Sequence, residues 1–178
     1  AETVLGLPKR ELAFYLGASG ALSGFLGVII GGRMADALRA RNPAGRVLVI
    51  IFGVVAPVIP IWIGFTTENA TLFYAMNFLA GLFGSAALGA AAATTQDLVL
   101  PSMRGTATAA FFLGTTLIGL AFGPYMVGQI STFTGDLRTG VLSLIAVAPV
   151  AVALLLYAYR AVPAAEATVA ERAAAASA

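Results

Sequence analysis

The 178-residue sequence has no cysteine and no histidine. Disulfide frameworks, thiolate or imidazole metal sites and every nucleophile–histidine pair are thereby excluded. Charge is scarce as well: Asp, Glu, Lys and Arg make up 10% of the chain, against about 25% in a soluble domain. In their place 60% of the residues are hydrophobic, and the mean hydropathy is +0.94. A chain this oily and this poor in charge is neither disordered nor water-soluble, and it belongs in a bilayer. The net charge of +2 does not point to nucleic acid, because the ten basic residues form no stripe. No enzyme activity, catalytic residue, cofactor or metal is expected.

Spanning a hydrocarbon core of about 30 Å takes about 20 apolar residues in a helix. Uncharged windows of that kind predict five spans, at about 12–32, 47–67, 70–96, 105–133 and 139–160. Breakers mark the connectors: Asn42, Pro43 and Gly45; Asn69; Pro101; Gly135 and Asp136. Continuous apolar runs speak for helices rather than barrel strands. The expected fold is an all-α, polytopic transmembrane helix bundle, flanked by an extracytoplasmic segment at 1–10 and a cytoplasmic tail at 161–178. Orientation follows from the basic residues: Arg33, Arg39, Arg41, Arg46, Arg104, Arg160 and Arg172 fall on one side, and only Lys9, Arg10 and Arg138 on the other. The first side is assigned to the cytoplasm. A chain that starts outside with no visible signal peptide is awkward to insert, and a missing upstream helix is the simplest repair.

The spans differ in kind. The second and fifth are large and apolar around most of their circumference, as helices facing lipid are. The first carries Gly17, Gly20, Gly24, Gly27 and Gly31 at spacings of three and four, and the fourth carries Gly119, Gly123 and Gly128 with Pro124. Such flat faces let helices approach closely, and across several spans they suggest interfaces that slide. In the third span Asn77, Gly81, Gly84, Ser85, Leu88, Ala91 and Ala92 form a small, weakly polar stripe at helical spacing. No ionisable side chain lies near the middle of a span, so the default ion or proton site of a membrane protein is absent from these windows.

After the first span comes Gly31-Gly32-Arg33-Met34-Ala35-Asp36-Ala37-Leu38-Arg39-Ala40-Arg41. This resembles the loop signature of the major facilitator superfamily, G-x-x-x-D-R/K-x-G-R-R/K. Gly32 and Asp36 match the glycine and aspartate, and Arg39 and Arg41 supply the basic end. Ala37 stands where a base is expected and no glycine precedes Arg39, as in the weaker copy that the family carries in its second half. Gln96-Asp97 through Pro101 to Arg104-Gly105-Thr106-Ala107 looks like the corresponding later loop, especially of members similar to the spinster group. Gly119, Gly123, Pro124 and Gly128 are similar to a glycine-proline antiporter motif whose final glycine pair is missing here.

The resemblance implies five spans of a six-helix half, helices eight to twelve of a twelve-helix carrier in the cell (inner) membrane. It implies a cytoplasmic gate motif of Gly32, Asp36, Arg39, Arg41, Asp97 and Arg104. The third span would line the substrate cavity through Phe73, Asn77, Gly81, Ser85 and Leu88. Gly17, Gly20, Gly24, Gly27, Gly119, Gly123, Pro124 and Gly128 would form the interface between halves. Partners would be the lipid bilayer, the missing amino-terminal half and a small-molecule substrate. Function would be secondary active transport of a small, amphipathic or lipid-like solute by alternating access. The competing expectation is a non-transporting structural subunit or a degenerate transporter half.

Overall fold

The computed structural model describes residues 9–176. The segment 1–10, expected outside the cytoplasm, lies apart from its last two residues outside the described part. Among the described residues there is no strand, and five helices are long and apolar enough to cross a membrane: Ala13–Arg39, Gly45–Thr66, Ala70–Asp97, Pro101–Thr134 and Arg138–Ala175. The all-α, five-span bundle expected from the sequence is therefore the fold.

In chain order the α-helices are α1 (Lys9–Arg39), α2 (Gly45–Val55), α3 (Val58–Thr66), α4 (Ala70–Asp97), α5 (Arg104–Gly114), α6 (Gly123–Thr134), α7 (Leu137–Ser143) and α8 (Ala148–Ala176). Proline explains why three spans are built from more than one piece. Pro57 separates α2 from α3, Pro124 is the second residue of α6, and Pro149 is the second residue of α8. In a first helical turn the missing N–H leaves no vacant bond within that helix, whereas mid-helix it would leave a carbonyl one turn earlier without its donor. The backbone upstream adjusts: Thr115–Phe122 winds as a π-helix before Pro124, and Leu144–Val147 tightens to a 3-10 turn before Pro149.

The non-membrane ends are fastened by side chains. Asn69 caps α4, its Oδ1 accepting from the N–H groups of Thr71 and Leu72 at 2.9 and 3.2 Å. Gly135 closes α6 in the left-handed region at φ 71°, where a side chain would be strained. Asp136 then caps α7, accepting from the N–H groups of Arg138 and Thr139 at 3.0 and 3.2 Å.

Helix α4 is the centre of the bundle, packed against α1, α2 and α3. The α1–α4 seam is close because both helices present small residues. A Cβ on Gly27 would strike the Leu82 carbonyl, and one on Gly31 would strike the Ala86 backbone. Nearby, Ala35, Val49 and Ala90 form a fully buried cluster with Leu38 and Ile50 packed on it. The fifth span closes on the second, α8 on α2 and α7 on α3. The fourth span stands apart, touching α4 at one end and α7 at the other. Its Ile118, Leu120 and Phe133 are exposed, as are Phe14 and Phe25 of α1. In water such a surface would aggregate, and in a membrane it is the normal contact with lipid or with another helix.

Candidate functional site

The connectors after the first and third spans and the far end of the fifth meet at one end of the bundle. Five charged side chains there form a single chain of ion pairs. Glu166 grips Arg39 with both oxygens, at 2.7 Å from Nη1 and 3.2 Å from Nη2. Arg39 Nη1 also donates to Asp97 Oδ2 at 2.5 Å. The same Asp97 oxygen accepts from Arg46 Nη1, and Arg46 Nη2 reaches Asp36 Oδ1 at 2.9 Å. Signs alternate along the series Glu166, Arg39, Asp97, Arg46, Asp36, so every neighbour attracts. The first, second, third and fifth spans are thus tied at this end, and the fourth is not.

Local structure places each member. Asp36 and Arg39 occupy the last turn of α1, and Arg46 is the second residue of α2. The turn between them is held by Leu38, whose carbonyl accepts from the N–H groups of Arg41 and Asn42, and by Asn42 Oδ1, which accepts from the Ala44 N–H at 2.9 Å. Asn42 Nδ2 also donates to the Tyr159 hydroxyl at 2.9 Å, fastening the turn to α8. Asp97 ends α4. Shielding varies along the series: the side chains of Arg46, Glu166 and Asp97 are 16, 17 and 20% exposed, Arg39 is 32% and Asp36 is 70%. The strong part of the network is its middle, because partly shielded charge-assisted bonds are worth more than exposed ones. Arg46 Nε is buried without a partner among the described residues.

Of the six residues expected in the gate motif, Asp36, Arg39 and Asp97 come together. Arg41 and Arg104 are exposed and join no ion pair among the described residues, and a Cβ on Gly32 would meet nothing within 4 Å. The glycine that permits close approach is its neighbour Gly31. Two members of the network, Arg46 and Glu166, were not foreseen. Arg46 counts in the sequence only as one more positive charge. Glu166 sits in the alanine-rich stretch expected to be a separate tail, but α8 runs through it to Ala176, and Tyr159, Val162 and Glu166 share one face at helical spacing. That spacing was the signal available.

The stripe expected to line a cavity is largely taken up by packing. A Cβ on Gly81 would meet Ser23 Oγ at 2.5 Å, Ser85 lies against Gly24 and Gly27, and Phe73 is buried between Phe65 and Tyr74. Asn77 Nδ2 donates to the Phe73 carbonyl at 2.9 Å. The physical reason is complementarity: a small-residue stripe on α4 fits the glycine stripe of α1 better than it fits empty space. Leu88 is exposed, and so is Gly84 one turn before it. Among the expected interface residues Gly24 and Gly27 face α4, whereas Gly17, Gly20, Gly119, Gly123 and Gly128 have nothing within 4 Å of a Cβ, and Pro124 breaks the fourth span.

At the opposite end, the Asp136 carboxyl is held below the usual carboxylate range, first by the Arg138 backbone N–H and then by the Thr139 hydroxyl. Among the described residues no group of carboxylates could hold a metal ion. The arrangement at the arginine-rich end is an electrostatic clamp that ties the ends of α1, α2, α4 and α8 together.

No family model matches the chain, and no solved structure matches it. Among curated proteins it is similar to an MFS-type efflux pump of Mycolicibacterium smegmatis, 30% identical over 133 residues, covering 74% of this chain and 31% of the pump. It is 32% identical over 129 residues to protein spinster of Drosophila melanogaster, covering 69% of this chain and 21% of that protein. It is also 32% identical over 127 residues to a sphingosine-1-phosphate transporter of Xenopus tropicalis, covering 69% and 24%. The chain spans under a third of the length of each of these relatives.

Proposed function

Because this chain belongs to the major facilitator superfamily and is similar to its spinster-like members, we propose that it forms helices eight to twelve of a twelve-helix carrier, which moves a small amphipathic or lipid-like solute by alternating access. The observation that carries the reading is the ion-pair series from Glu166 to Asp36. A static bundle has no need of a five-charge series at one end, four of its members partly shielded, since apolar contacts of equal volume hold helices at least as well. A clamp that must open and reclose does need them. Ion pairs are directional, and in the open state water solvates what the closed state pairs.

In this reading the arginine-rich end faces the cytoplasm, in accord with the bias of seven basic residues against three, and the membrane is the cell (inner) membrane. The clamp holds that end shut while the cavity opens on the other side. The cavity wall supplied by α4 is its open face, Leu88 and Gly84, with Asn77 the one amide nearby. Such a wall offers dispersion contacts and one hydrogen bond, which suits a solute with an apolar chain and a small polar head. An efflux pump and a sphingosine-1-phosphate transporter among the relatives accord with that class of cargo. The 178 residues alone would not transport, because alternating access needs a second half to rock against.

The test is flux into proteoliposomes made with the full-length protein. Saturable uptake of a fluorescent single-chain amphiphile, competed by an unlabelled amphiphile and not by glucose, is the expected result. Absence of any saturable amphiphile flux from correctly inserted protein would refute the proposal.

A further inference from the structure

The arginines at the clamped end fall into two populations. Arg39 and Arg46 are drawn into the network. Arg33, Arg41, Arg104, Arg160 and Arg172 are exposed and pair with no carboxylate among the described residues, and Arg33, Arg104 and Arg160 are those next to the apolar spans. Their placement is regular. Arg33 lies six residues, about 9 Å along the axis, before Arg39, and therefore nearer the membrane. It is about 200° around α1 from both Gly31 and Ala35, the buried face, so it projects away from the bundle. Arg160 stands in the same relation to buried Val162 on α8. Arg104 opens α5 on the span that stands apart from the others. Beside each is an exposed apolar side chain: Met34 next to Arg33, Met103 next to Arg104, and Tyr157 one turn before Arg160. A cation with its stem along apolar surface and an oily neighbour at the same level is how side chains sit at the headgroup boundary.

We infer that Arg33, Arg104 and Arg160 form a rim that binds anionic phospholipid headgroups of the bilayer leaflet at the clamped end. Charge complementarity selects this occupant. The carboxylates Asp36, Asp97 and Glu166 at this end are engaged by Arg39 and Arg46. Of the charges left over, the exposed Glu171 is outnumbered by five exposed arginines, Arg33, Arg41, Arg104, Arg160 and Arg172, so the outward-facing charge is positive, and the anions it meets at the level of Arg33, Arg104 and Arg160 are lipid phosphates. Each arginine near a membrane surface strengthens association with an anionic headgroup by about 1 kcal/mol, or roughly fivefold. The rim also gives the fourth span, which the clamp does not hold, an anchor at the same end.

Spin-labelled phosphatidylglycerol and phosphatidylcholine, compared by electron paramagnetic resonance in vesicles containing the full-length protein, test this. The wild type is expected to restrain phosphatidylglycerol several-fold more strongly than phosphatidylcholine, with the preference weakening at high salt and unaffected by soluble glycerol phosphate. Replacing Arg33, Arg104 and Arg160 together by glutamine should bring the ratio close to one. The triple lysine variant, which keeps the charge, should retain it and so separates charge loss from misfolding. An unchanged ratio in the glutamine variant would overturn the inference. So would competition by glycerol phosphate, which would mark a free-anion site. Cross-linking of these arginines to carboxylates elsewhere in the protein would overturn it too, by marking a protein interface.

Discussion

Replacing Arg39 by glutamine removes the hub of the charge series while keeping most of the side chain's length. Two connections go: the bond to Asp97 at 2.5 Å and the two-pronged grip of Glu166 at 2.7 and 3.2 Å. Asp97 keeps Arg46, but Glu166, only 17% exposed, keeps no partner in the network. Stranding a deeply buried charge costs about 3 to 5 kcal/mol. Arg39 is one-third exposed, so water screens part of that loss, and about 1.5 to 3 kcal/mol remains. A double-mutant cycle isolates the pair: Arg39→Gln, Glu166→Gln and the two combined, each unfolded by urea in mixed micelles and followed by circular dichroism. Because the combined variant strands no charge at position 166, its loss should fall short of the summed single losses by about 1 to 2 kcal/mol. In the carrier the loss of about 1.5 to 3 kcal/mol from Arg39→Gln would shift the balance of inward-open and outward-open forms by roughly ten- to 150-fold. Single losses that add within about 0.5 kcal/mol would show that the two residues are not coupled and would refute the clamp as described.

Exposure sets the order among the acids: Asp97→Asn, which disturbs two arginines, should slow transport in proteoliposomes far more than Asp36→Asn, whose 70% exposed carboxylate holds one bond worth less than about 1 kcal/mol. Adjacent glycines should behave oppositely in thermal melts. Gly31→Ala should destabilise by about 1 to 3 kcal/mol, because its Cβ strikes Ala86, whereas Gly32→Ala, with open space around it, should stabilise by about 0.5 to 1 kcal/mol. At the other end the Asp136 carboxyl titrates below its ordinary value, so its contribution to the start of α7 is complete above that value and lost as pH falls through the lowered one. The protection of the Arg138 and Thr139 amides, measured as hydrogen exchange relative to the intrinsic rate at each pH, should therefore fall under acid in the wild type and show no such step in Asp136→Asn.

Much of this architecture was legible in the sequence, for reasons that are physical. Span positions follow from hydrocarbon thickness and scarce charge; Asp36 and Asp97 stood out because acids at span ends are few, and Arg39 because it supplies the basic end of the loop signature. What remained hidden depends on pairing across the chain. Gly31 and Gly32 are equivalent in sequence, and only the Ala86 backbone distinguishes them. Gly81 and Ser85 are small enough either to line a cavity or to seat a helix, and the glycine face of α1 decided for the helix. Glu166 lies 127 residues from Arg39, too far for any local pattern to join them. Arg33 and Arg41 flank Arg39 in the sequence and carry the same charge, but both are exposed and neither joins the network that Arg39 enters.

The central claim is that the arginine-rich end opens and closes against a cavity lined by α4. A single cysteine at Leu88 tests it most directly, since these 178 residues contain no native cysteine. In the full-length protein, with any other cysteines removed, that thiol is labelled by an impermeant maleimide applied to either side of the membrane. Alternating access with a clamp at this end predicts labelling from both sides in the population, and Arg39→Gln should raise the ratio of cytoplasmic to external labelling at least tenfold. Labelling from one side only, or a ratio indifferent to Arg39→Gln, would contradict it.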